Sequence, residues 1–597
     1  MKQKSDFTRL RTLLGEEPSR KAFKDILGLF RCWEDEESKS VGVEYSLGHL
    51  ASWPDMYREA TLKECWPHFP EGVPVNYFML VRSLNVGACE IGAGGVKVLA
   101  NTPALDNLTM LNCYRSMMGN EGLKALASSS HLINLIKIEL GLNEIGDEGM
   151  KALAESKNLQ SLTAIDLGWN RMGIEGVRAF VDSSNLKKLE ILNLTGNKIR
   201  DEGVGMLAES VNLNSLLELG LNMNEVGDEG VTALANSLGL KHLTKIYLAD
   251  NDIGSDGVKA LADSANLHSL IELDLGGNRC GVEGAIALAN SPSLKKLKEL
   301  KLNGNHIGKD GVRAIAGSVN LNSLTGIELD LNEVGDEGVT ALANSSGLKH
   351  LTKIYLADND IGSDGVKALA DSANLHSLIE LDLGGNRCGV EGAIALANSP
   401  SLKKLKELKL NGNHIGKDGM RALSESFTLM SLKILDVSEN GIGVEGTKAL
   451  ANSSSLKNII ELGVCRNGIG DEGLGVLVHS LNLKNLVKLY LTDNGIGYEG
   501  VRMLVDYSNL IHVTELELSF NNIGYEGVRM LANSENLRSL SYLGLSSCGM
   551  RNEGAIVLAH SPILKSLANV NVSGNVIGLK GMKALDECSN RGGLASF

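Results

Sequence analysis

One phrase recurs every 27 residues through most of the chain, and it constrains the fold more than any other feature. Aligned on starts at 81, 108, 135 and onward to 567, it gives 19 units over residues 81–593. Each unit reads L-x-x-L-x-L-x-x-N-x-[IV]-G-x-x-G-[VMA]-x-x-[LI]-A-x-S-x-x-L with local variations, as in "LIKIELGLNEIGDEGMKALAESKNLQS" at 135–161. A chain of 597 residues would ordinarily divide into several globular domains. A stacked array instead grows in one dimension, each unit touching only its neighbours.

Within a unit the alternating Leu-x-Leu predicts a strand. The V-x-x-L-A that follows has the i, i+3, i+4 spacing of a helix. Between them "GDEG" (146–149, 227–230, 335–338, 470–473) puts carboxylates where the helix begins. There they are expected to satisfy its free N–H groups and complement its dipole, a capping role and not a catalytic one. The ninth residue is asparagine in 16 of 19 units, among them Asn143, Asn170, Asn197, Asn224, Asn251, Asn278, Asn305 and Asn332; Cys89, Ser116 and Cys548 are the exceptions. An amide carries two donors and an acceptor. Stacked copies are therefore expected to form a structural ladder along the bending backbone, where an unpaired polar group costs about 1–3 kcal/mol.

L-x-x-L-x-L-x-x-N followed by a short helix resembles the leucine-rich repeat. The phrase "N-x-IG-x-EG-x-x-ALA" is similar to its ribonuclease-inhibitor-like subtype, as in NLR-type receptors, and "GAIALANS" (284–291) resembles GALA-type arrays. The resemblance covers about six-sevenths of the chain. It implies an α/β solenoid, a horseshoe or superhelix with a parallel inner sheet, outer helices and a small helical N-terminal cap, and a function in binding other proteins on the inner face. Geometry independently supplies a bend, because strands sit about 4.8 Å apart and packed helices roughly 8–10 Å. With layers about 10 Å apart, each unit rotates by roughly 20–25°. Nineteen such units would approach a full circle and must flatten or rise.

The two strand leucines face the core, so the residues between and after them face a partner. At the fifth position Glu139, Asp166, Asp274, Glu328, Asp382, Asp436 and Glu517 stand against only Lys301 and Lys409. The stripe is acidic and suits a protein of basic or mixed charge. The seventh residue is usually small. Tyr247, Tyr355 and Tyr490 at the fifth position, with Trp169 and Phe520 at the eighth, are the candidate anchors, since aromatic side chains dominate interface energetics. The bland alternative is that each packs over a neighbouring strand.

Residues 225–311 and 333–419 are the same sequence except for Leu238 and Ser346. The offset is 108 residues, four whole units, and the identity extends to solvent-exposed positions. That marks a recent tandem duplication. A catalytic site at one fixed place is not naturally doubled in this way, whereas an extended binding surface is.

The remaining features narrow the function class. A formal net charge of −14 argues against nucleic acid and against an anionic membrane as partner. Nine cysteines without CxxC or metal spacing suit reduced, packed thiols. The N-terminus "MKQKSDFTRLRTLLGEE" lacks the apolar run of a signal peptide, and no segment has transmembrane length and apolarity. A cytoplasmic address is expected. "GAGG" (92–95) lacks the P-loop lysine, and no GxSxG, HExxH or zinc-ribbon pattern occurs. No enzymatic activity, cofactor or metal is expected.

Residues 1–80 differ in composition, with three of four tryptophans and five of nine prolines. "SRKAFKDILGLFRCW" (19–33) has helical spacing, and "YSLGHLASWPDMYREATLKECW" (45–66) reads as one or two short helices broken at Pro54. A cap for the first repeat is the simple role. "FKDILGLF" (23–30) and "SLGHLASW" (46–53) also resemble parts of an F-box, which would dock a ubiquitin-ligase core and make the chain a substrate adaptor. The opening Leu-Pro of that module is absent and "EDEESKS" interrupts it. One GTPase-activating family shares the repeat class, but the sequence singles out no Arg or Asn for that role. Residues 594–597 form a short tail, and the last strand, "NVNVSGN" (569–575), is expected to present an open edge.

Overall fold

The computed structural model describes residues 2–66, 69–70, 74–506, 510–565 and 567–592. The proposed tail 594–597 lies outside them. The chain forms two compact bodies. Residues up to Cys280 together with Ser291–Leu297 form one, and Gly281–Asn290 together with residues from Lys298 on form the other.

The first body opens with α1 (Lys2–Leu14), α2 (Arg20–Cys32) and α3 (Glu36–Leu50). Ser19 caps α2, accepting from Ala22 N–H, and Asp35 caps α3, accepting from Ser38 N–H. Beyond Pro54 the expected second helix shrinks to a 3-10 turn (Asp55–Tyr57) and α4 (Leu62–Cys65), with a strand, β1 (Glu59–Thr61), between them. No leucine alternation announces β1; it forms because the first repeat strand offers an unpaired edge. Arg58 is buried at this seam, its guanidinium donating to Leu80 O (2.7 and 2.9 Å) and Leu50 O (3.1 Å). Burial pulls its pKa down to about 10.

From there the first body adds one strand per repeat: β2 (Ser83–Asn85), β3 (Met110–Asn112), β4 (Lys137–Glu139), β5 (Ala164–Asp166), β6 (Ile191–Asn193), β7 (Glu218–Gly220), β8 (Lys245–Tyr247) and β9 (Glu272–Asp274). Each of β2 to β8 pairs in parallel with the strand one repeat on, without slippage, as Lys137 with Ala164 and Ala164 with Ile191. The second body continues the pattern through β10 (Glu299–Lys301), β11 (Gly326–Glu328), β12 (Lys353–Tyr355), β13 (Glu380–Asp382), β14 (Glu407–Lys409), β15 (Ile434–Asp436), β16 (Glu461–Gly463), β17 (Lys488–Tyr490), β18 (Glu515–Glu517), β19 (Tyr542–Gly544) and β20 (Asn569–Asn571). A helix of eight to ten residues follows each strand, such as Asp147–Glu155 and Ile174–Val181; the one after β20, Leu579–Gly592, is longer. Strand positions four and six, exemplified by Ile138 and Leu140, are buried with Met150 and Leu153 of the following helix. Strands therefore line one side of an apolar spine and helices the other.

Two polar ladders stitch neighbouring repeats. Asn170 Oδ1 accepts from Asn143 N (3.1 Å) and Ile145 N (3.0 Å) of the preceding repeat. Its amide nitrogen donates to Leu140 O (3.0 Å) and Leu167 O (2.9 Å). Asn332 does the same for Asn305 N and Ile307 N. Where Cys548 replaces asparagine, its thiol donates to Leu518 O at 3.2 Å.

The second ladder corrects the expectation that the GDEG acids cap their own helices. Asp147 Oδ1 accepts from Gly173 N (2.7 Å) and Gly176 N (3.0 Å), which begin the helix of the next repeat. Asp228 reaches Gly254 and Gly257, and Asp336 reaches Gly362 and Gly365, in the same way. An acid at the first helical position has its free neighbours one repeat away, not in its own turn. This also explains the G-x-x-G pair: a Cβ on Gly176 would lie 2.7 Å from Asp147 Oδ1.

Candidate functional site

Strand periodicity puts the third, fifth and seventh residues of each repeat on the outer surface of the sheet. In the first body this surface sinks into a hollow of about 260 Å³ spanning β4 to β8. Its depth follows from side-chain size. Ala164 and Gly220 are small, while Lys137 and Glu139 stand on one flank and Tyr247 on the other. Ile191, 40 % exposed, supplies an apolar patch to the floor. A hydrogen-bonded chain crosses it: Thr195 Oγ1 donates to Asn193 Oδ1 (2.7 Å), and Asn193 Nδ2 donates to Asp166 Oδ1 (3.0 Å). Asp166 Oδ1 also accepts from Gly168 N (2.8 Å), which fixes the carboxylate.

The electrostatics around the hollow are acidic. Lys137 pairs with Glu139 at 2.8 Å. Lys245 is shared between Glu218 (3.5 Å) and Glu272 (3.8 Å). Tyr247 Oη donates to Glu272 Oε2 at 3.2 Å, and burial followed by Glu218 and Glu272 raises its pKa, so the hydroxyl stays protonated. Asp166 has no basic partner within ion-pair distance among the described residues.

Beside the hollow runs the row of eighth residues. In every repeat this residue has a positive φ, because the chain must turn sharply from the strand into the buried asparagine. Glycine or aspartate adopts this conformation cheaply, whereas other L-residues pay roughly 1–2 kcal/mol. Leu142, Trp169 and Met223 nevertheless occupy it at φ 55°, 57° and 54°, and all three are exposed. The Trp169 ring lies against Gly196, where a Cβ would come within 2.9 Å of it. In the second body Leu331 and Phe520 repeat the pattern, each 58 % exposed.

The sequence-derived residues thus divide by location. Glu139, Asp166 and Tyr247 line the hollow, and Trp169 stands in the adjoining row. Asp274 on β9 closes a local turn, accepting from Gly276 N at 3.0 Å. In the second body Asp382 and Asp436 close equivalent turns onto Gly384 N and Ser438 N, each at 2.9 Å. Asp382 also pairs with Lys409, and Glu328 with Lys301. Tyr355 donates to Glu380, and Tyr490 to Glu515 at 3.3 Å. Reading only the fifth position missed the acids of the third: Glu218, Glu272, Glu380 and Glu515, which hold the tyrosines and lysines in place. The period of two that fixes the fifth residue outward fixes the third as well. Also missed was Asp330, at the seventh position, whose carboxyl accepts from Ala357 N at 2.6 Å. Burial, with Asp382, Glu328 and Asp358 nearby, raises its pKa to about 6.

The eight described cysteines are free thiols. Burial pushes those of Cys280 and Cys388 up to about 12. Among the described residues no group of His, Cys, Asp and Glu is arranged to hold a metal ion.

The family model described as Leucine Rich repeat matches fifteen segments of this chain, in unbroken 27-residue steps from 131–154 to 428–451 and again at 482–505, 509–532 and 536–559. Together they make up more than half of the sequence. No curated protein matches. Among solved structures 220 chains match. One is an internalin from Listeria monocytogenes, 23 % identical, covering 67 % of this chain and 94 % of its own, with a TM-score of 0.37.

Proposed function

Because the chain belongs to the leucine-rich repeat family, a family of protein-binding scaffolds, we propose that its partner is a protein that seats a basic side chain in the hollow of the first body. The observation that carries this reading is the makeup of that hollow. Glu139, Asp166 and Glu218 wall a floor of Ala164, Ile191 and Gly220, with the Tyr247 ring at one flank. An arginine or lysine matches each part: its methylenes lie on Ile191, its cation meets Asp166 and Glu218, and the ring adds a cation–π contact. Trp169 and Leu142 then supply an apolar rim. The turn demands a positive φ at this position in every repeat but no large side chain, so the exposed bulk of Trp169 and Leu142 supports a role in contact. The acids of β11 to β15 extend the same preference for a basic or mixed-charge partner to the second body.

In this reading residues 1–80 are a cap. β1 extends the sheet of the first body by pairing with β2, and Arg58 bolts the seam. A ubiquitin-ligase adaptor would present the apolar residues of its opening helix to the ligase core, but Phe23, Ile26, Leu27 and Phe30 of α2 are buried. The α-helix in each repeat and the G-x-x-G pair support the ribonuclease-inhibitor-like subtype. The free thiols support a cytoplasmic location.

Random-peptide display selected on the full chain tests the proposal. Enriched peptides should carry Arg or Lys and bind about tenfold or more weakly to Asp166→Asn with Glu218→Gln, and to Tyr247→Ala. Enrichment of acidic peptides, or binding indifferent to these substitutions, would refute it.

A further inference from the structure

The expectation that this chain avoids anionic lipid rests on its net charge of −14. Resolved by face, the charge is segregated. In the second body each helix leads to the next strand through a segment of eight or nine residues. The last eight residues of six consecutive segments, 345–352, 372–379, 399–406, 426–433, 453–460 and 480–487, contain no aspartate or glutamate. They contain seven lysines and two histidines. Lys403, Lys404, Lys406, Lys433, Lys457 and Lys484 are all exposed, and none forms an ion pair among the described residues. On the neighbouring strands Lys409 and Lys488, by contrast, are paired with Glu407 and Glu515. The nearest acids on the helix side are Asp371 and Glu425, at the ends of the helices before two of these segments.

The segments are held side by side by two sets of bonds. The serine hydroxyls of Ser399, Ser426 and Ser480 donate to Ala370 O, Ala397 O and Ala451 O, each at 2.6 Å. Further along, Lys406 N–H donates to Ile379 O, Lys433 N–H to Lys406 O and Ile460 N–H to Lys433 O, each at 2.8 Å. The result is a rigid edge with cations in register, Lys406 and Lys433 standing about 5 Å apart at the backbone. From it protrude Phe427, 85 % exposed, and Leu481, 77 % exposed, with Met430 and Ile460 between them.

We propose that this edge docks on an anionic lipid surface, the lysines lying at headgroup level and Phe427 and Leu481 entering the boundary with the acyl chains. Three features favour lipid over a macromolecular partner. Protein interfaces are enriched in Tyr, Trp and Arg and depleted in Lys, and these segments contain no Tyr, Trp or Arg. Single-stranded nucleic acid calls for several stacking rings along its path, and beside Phe427 the six segments offer only His350 and His376. Lysines interleaved with protruding apolar side chains are the composition of a surface that lies on a bilayer. Among the described residues no helix is long and apolar enough to cross a membrane; docking of this kind requires none. The edge is separate from the strand face, so the two proposals stand independently.

Vesicle co-sedimentation of the full-length protein decides the matter. Binding is expected to phosphatidylcholine vesicles containing phosphatidylserine, not to phosphatidylcholine alone, and to vanish at high salt. Lys403→Glu, Lys404→Glu and Lys406→Glu together should weaken it at least ~100-fold, and Phe427→Ser with Leu481→Ser at least ~10-fold. A control with the same charge change, Lys259→Glu, Lys367→Glu and Lys417→Glu on exposed helix positions that form no ion pair among the described residues, should retain most of the binding. Melting curves of all three variants should match the parent, because every altered side chain is exposed. Failure to bind phosphatidylserine vesicles, equal binding to neutral vesicles, or equal loss in the control would overturn the proposal. So would capture of an acidic peptide or duplex DNA by these lysines in place of vesicles.

Discussion

Asp330→Asn is a perturbation for which the chain carries its own reference. Asp330 Oδ1 accepts from Ala357 N at 2.6 Å. One duplication offset earlier, Asn222 Oδ1 accepts from Ala249 N at 2.7 Å, so an amide performs the same task without charge. The Asp330 carboxyl is raised from 3.8 to about 6, first by burial and then by Asp382, Glu328 and Asp358. The native state therefore holds its proton more tightly than the unfolded chain. Stability from this group is fully present below about pH 4, falls as pH rises through about 6, and is lost above that. Two pH units correspond to at most about 3 kcal/mol, and partial access to water reduces this to on the order of 1–2 kcal/mol. Asn keeps the acceptor and removes the charge. The variant should be more stable than the parent by that amount at pH 7.5, with little difference at pH 4. Calorimetric melting at the two pH values, with hydrogen exchange of β12 as a local readout, measures it. Equal effects at both pH values, or destabilisation at pH 7.5, would refute the assignment of the strain to the Asp330 charge.

Three further outcomes follow from the same geometry. Asn143→Ala orphans Ser116 N and Met118 N together with the carbonyl of Cys113, while Leu140 O keeps its bond from Asn170. It should cost about 2–4 kcal/mol in denaturant melts. Asp147→Ala removes the acceptor shared by Gly173 N and Gly176 N and should cost about 1–2 kcal/mol, whereas Glu148→Ala, whose side chain meets only Lys124 in solvent, should leave the melt unchanged; equal effects would return the cap to the acid's own helix. Under native alkylation followed by peptide mass spectrometry, Cys32 and Cys89 should label first, and Cys113, Cys280 and Cys388 only after unfolding.

The repeat made the spine legible before any coordinates, because Leu-x-Leu and V-x-x-L-A each have one geometric solution. What it concealed were relations between repeats. Asp147 serves a helix 26 residues further on, and a motif read one unit at a time assigns it to its own turn. The positive φ at the eighth position was equally hidden, since Trp169 and Phe520 occupy a place that local preference reserves for glycine. Tyr247, Tyr355 and Tyr490 were legible as outward aromatics. Their glutamate partners belong to the third position of the following repeat, visible only once the register is fixed. β1 had no sequence signal, because its reason to be a strand is the edge it covers.

The central claim is that recognition occurs on the strand side of the first body. Hydrogen exchange of the full chain with and without a display-selected basic peptide tests it most directly. Slowed exchange is expected along β5 to β8 and in the turns carrying Gly168, Thr195 and Asn222, with the helices Asp147–Glu155 and Ile174–Val181 unchanged. Protection that appears on those helices and spares the strands would contradict it.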